Sequence, residues 1–182
     1  MIELSLHILD IVQNSIEAKA ALIQISVTED IISDRYVVTI SDNGKGIKKE
    51  MLATVTDAYT TSRTTRKVGM GLALLKQSAE QAGGELKVES EFEKGTIVIA
   101  TFVHSNIDRP PLGDIAGTVS LLASANPEID FVFRHCLGIA EYCFDTREVK
   151  VALDDVSISE LSIRKYLKEI IHENLLEIGV DF

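Results

Sequence analysis

Two polar residues near the start of the chain have the types and the spacing that could serve a metal ion. Asp10 and Asn14 lie in a stretch whose apolar residues recur at helical spacing, and side chains four positions apart share one face of a helix. Their carboxylate and carboxamide oxygens are ligands that Mg²⁺ accepts. The alternative is that both residues lie on the solvated face of an amphipathic helix.

A glycine-containing segment follows the second predicted strand. Asp42, at the end of that strand, can accept a hydrogen bond from an exocyclic amine, while Gly44 and Gly46 allow a flat ring to approach the backbone. The same segment also suits an ordinary turn, because Asn-Gly is a common turn sequence.

A second glycine pair, Gly69 and Gly71, flanks Met70 and precedes Leu72 at the start of a predicted helix. Backbone N–H groups at the start of a helix attract phosphate, and glycines allow the phosphate to come close. The segment is not a P-loop, because no Gly-Lys-Ser/Thr follows it. It is not a dinucleotide fingerprint either, because no parallel βαβ unit surrounds it. Taken alone, a single Gly-x-Gly is weak evidence.

The hydrophobic pattern predicts the elements that position these three segments. The predicted helices cover 3–20, 48–54, about 71–82, 113–125 and 157–177, and the predicted strands cover 22–28, 36–41, 85–91, 96–103, 130–135 and 140–145. Residues 57–68 show no periodicity and are predicted to form a mobile loop. Short turns between successive strands imply antiparallel pairing. The predicted fold is α/β (α+β): a two-layer sandwich of a mixed, mainly antiparallel sheet covered on one face by helices, with a small C-terminal α+β appendage.

The composition limits the classes of partner. The chain has 182 residues and a net charge of −10. A nucleic-acid partner is not expected, because phosphate backbones require clustered Lys and Arg. A membrane is not expected either, because no apolar run approaches the roughly 20 residues that a span needs. The two cysteines, Cys136 and Cys143, are expected to be small core residues in a reducing cytoplasm.

The order and the spacing of the three segments resemble the N, G1 and G2 boxes of the GHKL ATPase superfamily, the histidine kinase-, gyrase-, Hsp90- and MutL-like proteins that share the Bergerat fold. The run Gly83–Phe102 is similar to the last hairpin of a histidine-kinase ATP domain, and Asp57–Ser62 resembles the F-box-like segment before the lid. The resemblance covers residues 1–104 and implies an ATP-binding domain there. Pro110-Pro111 lies near the boundary with an appendage over 105–182 of unknown role.

Carried over position by position, the resemblance implies ATP and Mg²⁺ as ligands. Asn14 would ligate Mg²⁺ and bridge it to the triphosphate, and Asp42 would accept the adenine amine, supported through water by Thr96. Asp10 stands where ATP-hydrolysing members carry a Glu that activates water, so its shorter side chain leaves the efficiency of hydrolysis open. The other implied ATP contacts are Gly44, Gly46, Thr60, Thr61, Gly69, Met70, Gly71 and Leu72. The cations Arg63, Arg66 and Lys67 are candidates to offset phosphate charge, and they suit a solvated loop equally well.

The resemblance does not choose one activity. Only nine residues precede Asp10, too few for the helical hairpin that carries the phosphoacceptor His of a complete histidine kinase, and His7 lies on the same helix. We therefore expect a stand-alone protein whose phosphoacceptor lies in another chain or in the acidic tail. The first hypothesis is a regulatory kinase that phosphorylates a serine or histidine of a partner protein. The alternatives are an ATP-gated switch with slow hydrolysis, acting through a partner or a homodimer, and a nucleotide-binding subunit without chemistry.

Overall fold

A six-stranded sheet carries the helices of the chain. A computed structural model describes residues 3–48, 50 and 70–181. The strands are β1 (Leu22–Asp30), β2 (Arg35–Asp42), β3 (Glu85–Glu91), β4 (Gly95–Val103), β5 (Asp130–Leu137) and β6 (Ala140–Asp145). The helices within the described residues are α1 (Leu4–Glu17), α2 (Gly71–Gln81), α3 (Ile115–Ala125), α4 (Thr146–Leu153) and α5 (Leu161–Glu177). None of these described helices is long and apolar enough to cross a lipid bilayer.

The sheet is mixed and mainly antiparallel. The strand order is β3-β4-β2-β1-β5-β6, and every neighbouring pair is antiparallel except β1 and β5, which run parallel. In β1 the side chains of Ile23, Ile25 and Val27 are buried, whereas those of Gln24 and Thr28 are exposed. Because successive side chains of a strand point to opposite faces, one face of the sheet forms the core and the other faces outward. The predicted two-layer sandwich is therefore confirmed.

The C-terminal part of the chain extends this same sheet. β5 pairs with β1 along the whole stretch from Leu22 to Glu29. The connection that leads to it is fastened to the start of α1, because Leu4 N donates to the carbonyl of Pro111 at 2.9 Å. The predicted hairpin over 130–145 thus continues the sheet. The division of the chain into units at residues 104 and 105 stays a prediction.

The region after β6 differs from its prediction. The helix predicted over 157–177 begins later, at Leu161, and a separate helix, α4, precedes it. The carboxylate of Asp145 caps α4 by accepting a hydrogen bond from Arg147 N at 2.9 Å. Asp145 and Glu148 have the three-residue spacing of a capping box, so the sequence did contain a signal for this helix.

The expectation of buried cysteines is wrong. Cys136 is half-buried and Cys143 is exposed. In the pairing of β5 with β6, Cys143 lies opposite Arg134, which is also exposed. Both cysteines therefore belong to the outward face of the sheet, because strand periodicity places them on the side opposite Phe133 and Phe144.

A polar cluster closes the core at the end of the sheet opposite Asp42. Glu29 Oε1 lies 2.8 Å from His135 Nε2, and Glu29 Oε2 lies 2.9 Å from His104 Nε2. His135 is completely buried. Burial alone raises the pKa of Glu29, but the hydrogen bonds from His135 and His104 outweigh burial, so the pKa lies below its usual value. The ionised Glu29 therefore fastens β5 and the end of β4 to β1.

We predict that Glu29→Gln lowers the free energy of unfolding by about 2 kcal/mol at neutral pH, because two hydrogen bonds to an ionised acceptor become weaker neutral ones. Since the folded-state pKa of Glu29 is depressed, this contribution is fully present above the ordinary Glu pKa of about 4.3. It is lost as the pH falls through the folded-state pKa. Urea unfolding of wild type and variant across this pH range measures the difference.

Glu85→Gln is the matched control for this change. Glu85 pairs with Lys87 in solvent, at 2.7 Å, and exposed ion pairs contribute little to stability. We therefore expect a small effect in the control. Equal losses of stability in the two variants would contradict the structural role assigned to Glu29.

Candidate functional site

A cleft of about 710 Å³ opens where α1, the turn after β2, the start of α2 and the β3–β4 hairpin meet. Its apolar wall includes Ile11, Ile40, Ile47 and Val98, and its polar groups include Asn14, Ser15, Asp42 and Thr96. A concave site of this size, mostly apolar with a few convergent polar groups, suits a small organic ligand.

Asp42 presents its carboxylate to the cleft in one orientation. Ser15 Oγ donates to Oδ2 at 2.7 Å, and Gly44 N donates to Oδ1 at 2.8 Å. Ser15 is only 4% exposed, so its hydroxyl is held in place by the packing of α1. Each carboxylate oxygen has further lone pairs. Asp42 can therefore still accept a hydrogen bond from a ligand amine.

Gly44 and Gly46 bring the turn after β2 into backbone contact with its neighbours. A Cβ on Gly44 would lie 2.9 Å from the Cβ and the carbonyl oxygen of Ala18. Gly46 has a φ of +63°, and a Cβ there would overlap the carbonyl oxygen of Glu91. The turn is therefore wedged between the end of α1 and the β3–β4 hairpin, and this contact fixes one wall of the cleft.

Thr96 lies beside Asp42, because the two residues are direct partners in the pairing of β2 with β4. Ser90 Oγ lies 2.9 Å from Thr96 Oγ1, donates to Gly95 O at 2.9 Å and accepts from Ile47 N at 2.8 Å. The single hydroxyl proton of Ser90 goes to a carbonyl, so Thr96 must donate to Ser90. The Thr96 hydroxyl thus keeps its acceptor lone pairs for the cleft.

The start of α2 forms another side of the cleft, close to α1. A Cβ on Gly71 would lie 2.8 Å from the Cβ of Asp10, so the glycine allows the two helices to approach closely. Leu72 lines the cleft together with Asn14. Met70, the N-cap residue of α2, makes no side-chain capping hydrogen bond. The first N–H groups of a helix can bind an anion.

The predicted site residues have different placements. Those that line the cleft are Asn14, Asp42, Gly46, Leu72 and Thr96. Gly44 and Gly71 pack behind its walls, Asp10 is exposed beside Gly71, and Met70 is exposed to solvent. Thr60, Thr61, Arg63, Arg66, Lys67 and Gly69, with the predicted loop 57–68 and nearly all of the predicted helix 48–54, lie outside the described residues.

Sequence reasoning missed four residues of the site: Ser15, Ser90, Gly95 and Phe92. Ser15 and Ser90 hold other site residues by hydrogen bonds, and Gly95, with a φ of +122°, lets β4 begin against the carbonyl of Asp42. A signal existed for Ser15, because a hydroxyl on the buried side of an amphipathic helix needs a partner. The other three depend on contacts between turns that local patterns do not reveal.

The sandwich fold occurs in solved structures of other proteins. A solved structure described as the crystal structure of the N-terminal domain of a DNA repair protein superposes with a TM-score of 0.55 at 18% identity. The alignment covers 78% of this chain and 51% of that chain. At this identity the likeness shows the fold alone.

The chain belongs to the family described as histidine kinase-, DNA gyrase B-, and HSP90-like ATPase, whose profile matches residues 2–106. A putative sensor histidine kinase NtrY-like of Rickettsia conorii is 29% identical over 106 residues, which are 58% of this chain and 17% of the relative. The sensor histidine kinase ZraS of Salmonella typhimurium is 37% identical over 65 residues, 36% of this chain and 14% of the relative. The chain thus spans less than a fifth of the length of either relative.

A comparison of Gly46→Ala with Gly138→Ala distinguishes the cost of steric overlap from the cost of a positive φ. The two glycines have similar φ values, +63° and +58°, but a Cβ on Gly138 would meet nothing within 4 Å. We predict that Gly46→Ala lowers the free energy of unfolding by at least about 2 kcal/mol more than Gly138→Ala, because the backbone of Glu91 has to move. Urea unfolding of the two variants measures this difference. Equal destabilisation of the two variants would contradict a rigid backbone contact between Gly46 and Glu91.

Proposed function

We propose that the chain binds Mg-ATP in this cleft and transfers the γ-phosphoryl group to a partner protein. The observation that carries the proposal is the convergence of three elements on one cleft. They are Asn14 on α1, Asp42 at the end of β2 and the start of α2 at Gly71. The family to which the chain belongs is one of ATPase domains, which supports ATP as the ligand.

The base of the nucleotide lies at Asp42 in the proposed complex. The carboxylate, oriented by Ser15 and Gly44, accepts a hydrogen bond from the adenine amine. The carbonyl oxygen that guanine carries at the same position would face a carboxylate oxygen, and two acceptors repel each other. Ile40 and Val98 provide the apolar surface that the ring requires.

The residues near the start of α2 suit a magnesium triphosphate. In the part of the chain that the structure describes, no three His, Cys, Asp or Glu side chains gather as metal ligands. A single carboxamide, that of Asn14, fits Mg²⁺, because this ion usually keeps water and phosphate oxygens as its other ligands. When bound, Mg²⁺ would offset part of the triphosphate charge. Lys45 and Lys48 line the same cleft, where they balance the negative charges of Glu17 and Asp42.

Two of the four histidines are too deeply buried to accept a phosphoryl group. His7 is 1% exposed, its Nε2 lies 3.2 Å from Ser78 Oγ, and burial lowers its pKa below the usual value. His135 is also buried, with its Nε2 at Glu29. Neither imidazole is accessible to a γ-phosphate, so neither serves as an acceptor in this fold.

An ATP-gated switch with slow hydrolysis is the second candidate, and the position of Asp10 favours it. Asp10 is exposed, one helical turn before Asn14 and against Gly71 at the start of α2. A carboxylate there can orient and deprotonate a water molecule near the phosphates. The close approach of α1 to α2 offsets part of the length that an Asp lacks relative to a Glu.

Incubation with γ-labelled ATP and the proteins that co-purify with the chain distinguishes these functions. Label on a partner protein, abolished by Asn14→Ala, is the result expected for the kinase. Release of free phosphate by wild type but not by Asp10→Asn, with no label on any protein, would contradict the kinase and support the switch. If ATP binds but neither labelled protein nor free phosphate forms, both activities are wrong and the chain is a nucleotide-binding protein without chemistry.

We predict that Asn14→Ala abolishes Mg²⁺-dependent ATP binding, because the variant loses the carboxamide oxygen proposed to ligate the ion. Titration calorimetry with ATP, with and without Mg²⁺, measures the effect. Gln13→Ala is the matched control, since Gln13 is an exposed carboxamide on the same helix that does not line the cleft. If Asn14→Ala binds Mg-ATP as tightly as wild type, Asn14 is not a ligand of Mg²⁺.

We predict that Asp42→Asn lowers the ratio of ATP affinity to GTP affinity by about tenfold, because an ionised acceptor for the adenine amine is replaced by an amide. Competition binding with the two nucleotides measures this ratio. A variant that retains the full preference for ATP would exclude Asp42 from recognition of the base.

A further inference from the structure

Phe92 is a large apolar side chain whose position the core does not explain. It is 48% exposed in the turn between β3 and β4, with Glu91 before it and Glu93 after it. The ammonium of Lys48 lies 5.3 Å from the ring centroid. A cation–π contact at an exposed site is weak, so the ring has surface left that a ligand can cover.

The turn that carries Phe92 is fixed against the turn that carries Asp42. Glu93 N donates to the carbonyl of Lys45 at 2.8 Å. Gly95 lies so close to the carbonyl of Asp42 that any Cβ there would overlap it. These two backbone contacts follow Phe92 directly in the chain and limit the movement of its Cα relative to Asp42.

Phe92 also lines the cleft that Asp42 faces, together with Ile47 and Val98. A ligand whose polar edge is held by Asp42 has its flat faces toward these apolar side chains. Phe92 is the aromatic residue of the set, and an aromatic ring stacks favourably on a base.

We propose that Phe92 stacks on the base of the bound nucleotide and covers it at the mouth of the cleft. This inference rests on the proposed function and names a subsite within it. Lys48 lies over one face of the ring, and the base takes the other. Because every base has a π-face, Phe92 supplies affinity for the base, whereas Asp42 supplies the choice between bases.

The stacking predicts which ligands depend on Phe92. Phe92→Ala should weaken the binding of both ATP and adenosine by about tenfold. It should leave the binding of inorganic tripolyphosphate unchanged, since that probe has no base. Calorimetry with the three ligands measures these changes. Ile139→Ala is the matched control, because Ile139 is a fully exposed apolar residue in the β5–β6 turn.

A spectroscopic test uses the absence of tryptophan from the sequence. Phe92→Trp introduces a single tryptophan at the subsite, and we expect the variant to keep its ATP affinity and to change its tryptophan emission when ATP or adenosine binds. Ile139→Trp should show no such change. Circular dichroism of each variant verifies the fold, which should persist because Phe92 lies at the surface.

The outcomes distinguish a failure of the stacking from a failure of the proposed function. Suppose that wild type binds ATP and that Phe92→Ala binds both ATP and adenosine with the affinities of wild type. The stacking is then wrong, and the proposed function stands. An unchanged emission of Phe92→Trp at saturating ATP would also overturn the stacking. If wild type binds no nucleotide, the proposed function and this subsite are both wrong.

Discussion

Backbone contact between two turns holds the candidate site together. The turn after β2 and the turn between β3 and β4 meet at Gly46 and Gly95, where a Cβ would overlap a facing carbonyl oxygen, and at the hydrogen bond from Glu93 N to Lys45 O. Because no side chain separates the two turns, Asp42 and the β3–β4 hairpin keep a constant spacing. The cleft has one rigid wall for this reason, and α1 completes the wall through the hydrogen bond from Ser15 to Asp42.

The charge that surrounds the cleft differs from the net charge of the chain. The net charge of −10 belongs to the whole chain, whereas the charged residues that line the cleft are balanced, with Lys45 and Lys48 against Glu17 and Asp42. Local charges and dipoles dominate at such distances, because salt screens the more distant ones. Asp42 is oriented by protein donors before any ligand arrives, so little ordering of the carboxylate has to accompany binding.

Local patterns predicted the elements, and contacts between distant segments decided the rest. Alternation of apolar residues predicted β1 to β6, and the Asp42-Asn43-Gly44 and Gly-Met-Gly segments indicated two sides of the cleft. The parallel pairing of β5 with β1 was not predictable, since it depends on a hairpin more than 100 positions after β1 in the chain. The exposure of Cys136 and Cys143 follows from that same pairing. The roles of Ser15 and Phe92 depend on contacts with residues distant in the sequence, Asp42 and Lys48 respectively.

The central claim is that α1, the turn after β2 and the start of α2 bind the same nucleotide. A crystal structure of the full chain with Mg²⁺ and a non-hydrolysable ATP analogue tests it most directly. We expect the adenine amine within hydrogen-bonding distance of the Asp42 carboxylate, and the phosphates between Asn14 and the N–H groups of α2. A nucleotide bound outside this cleft, or bound in it with the base at α2 and the phosphates at Asp42, would contradict it.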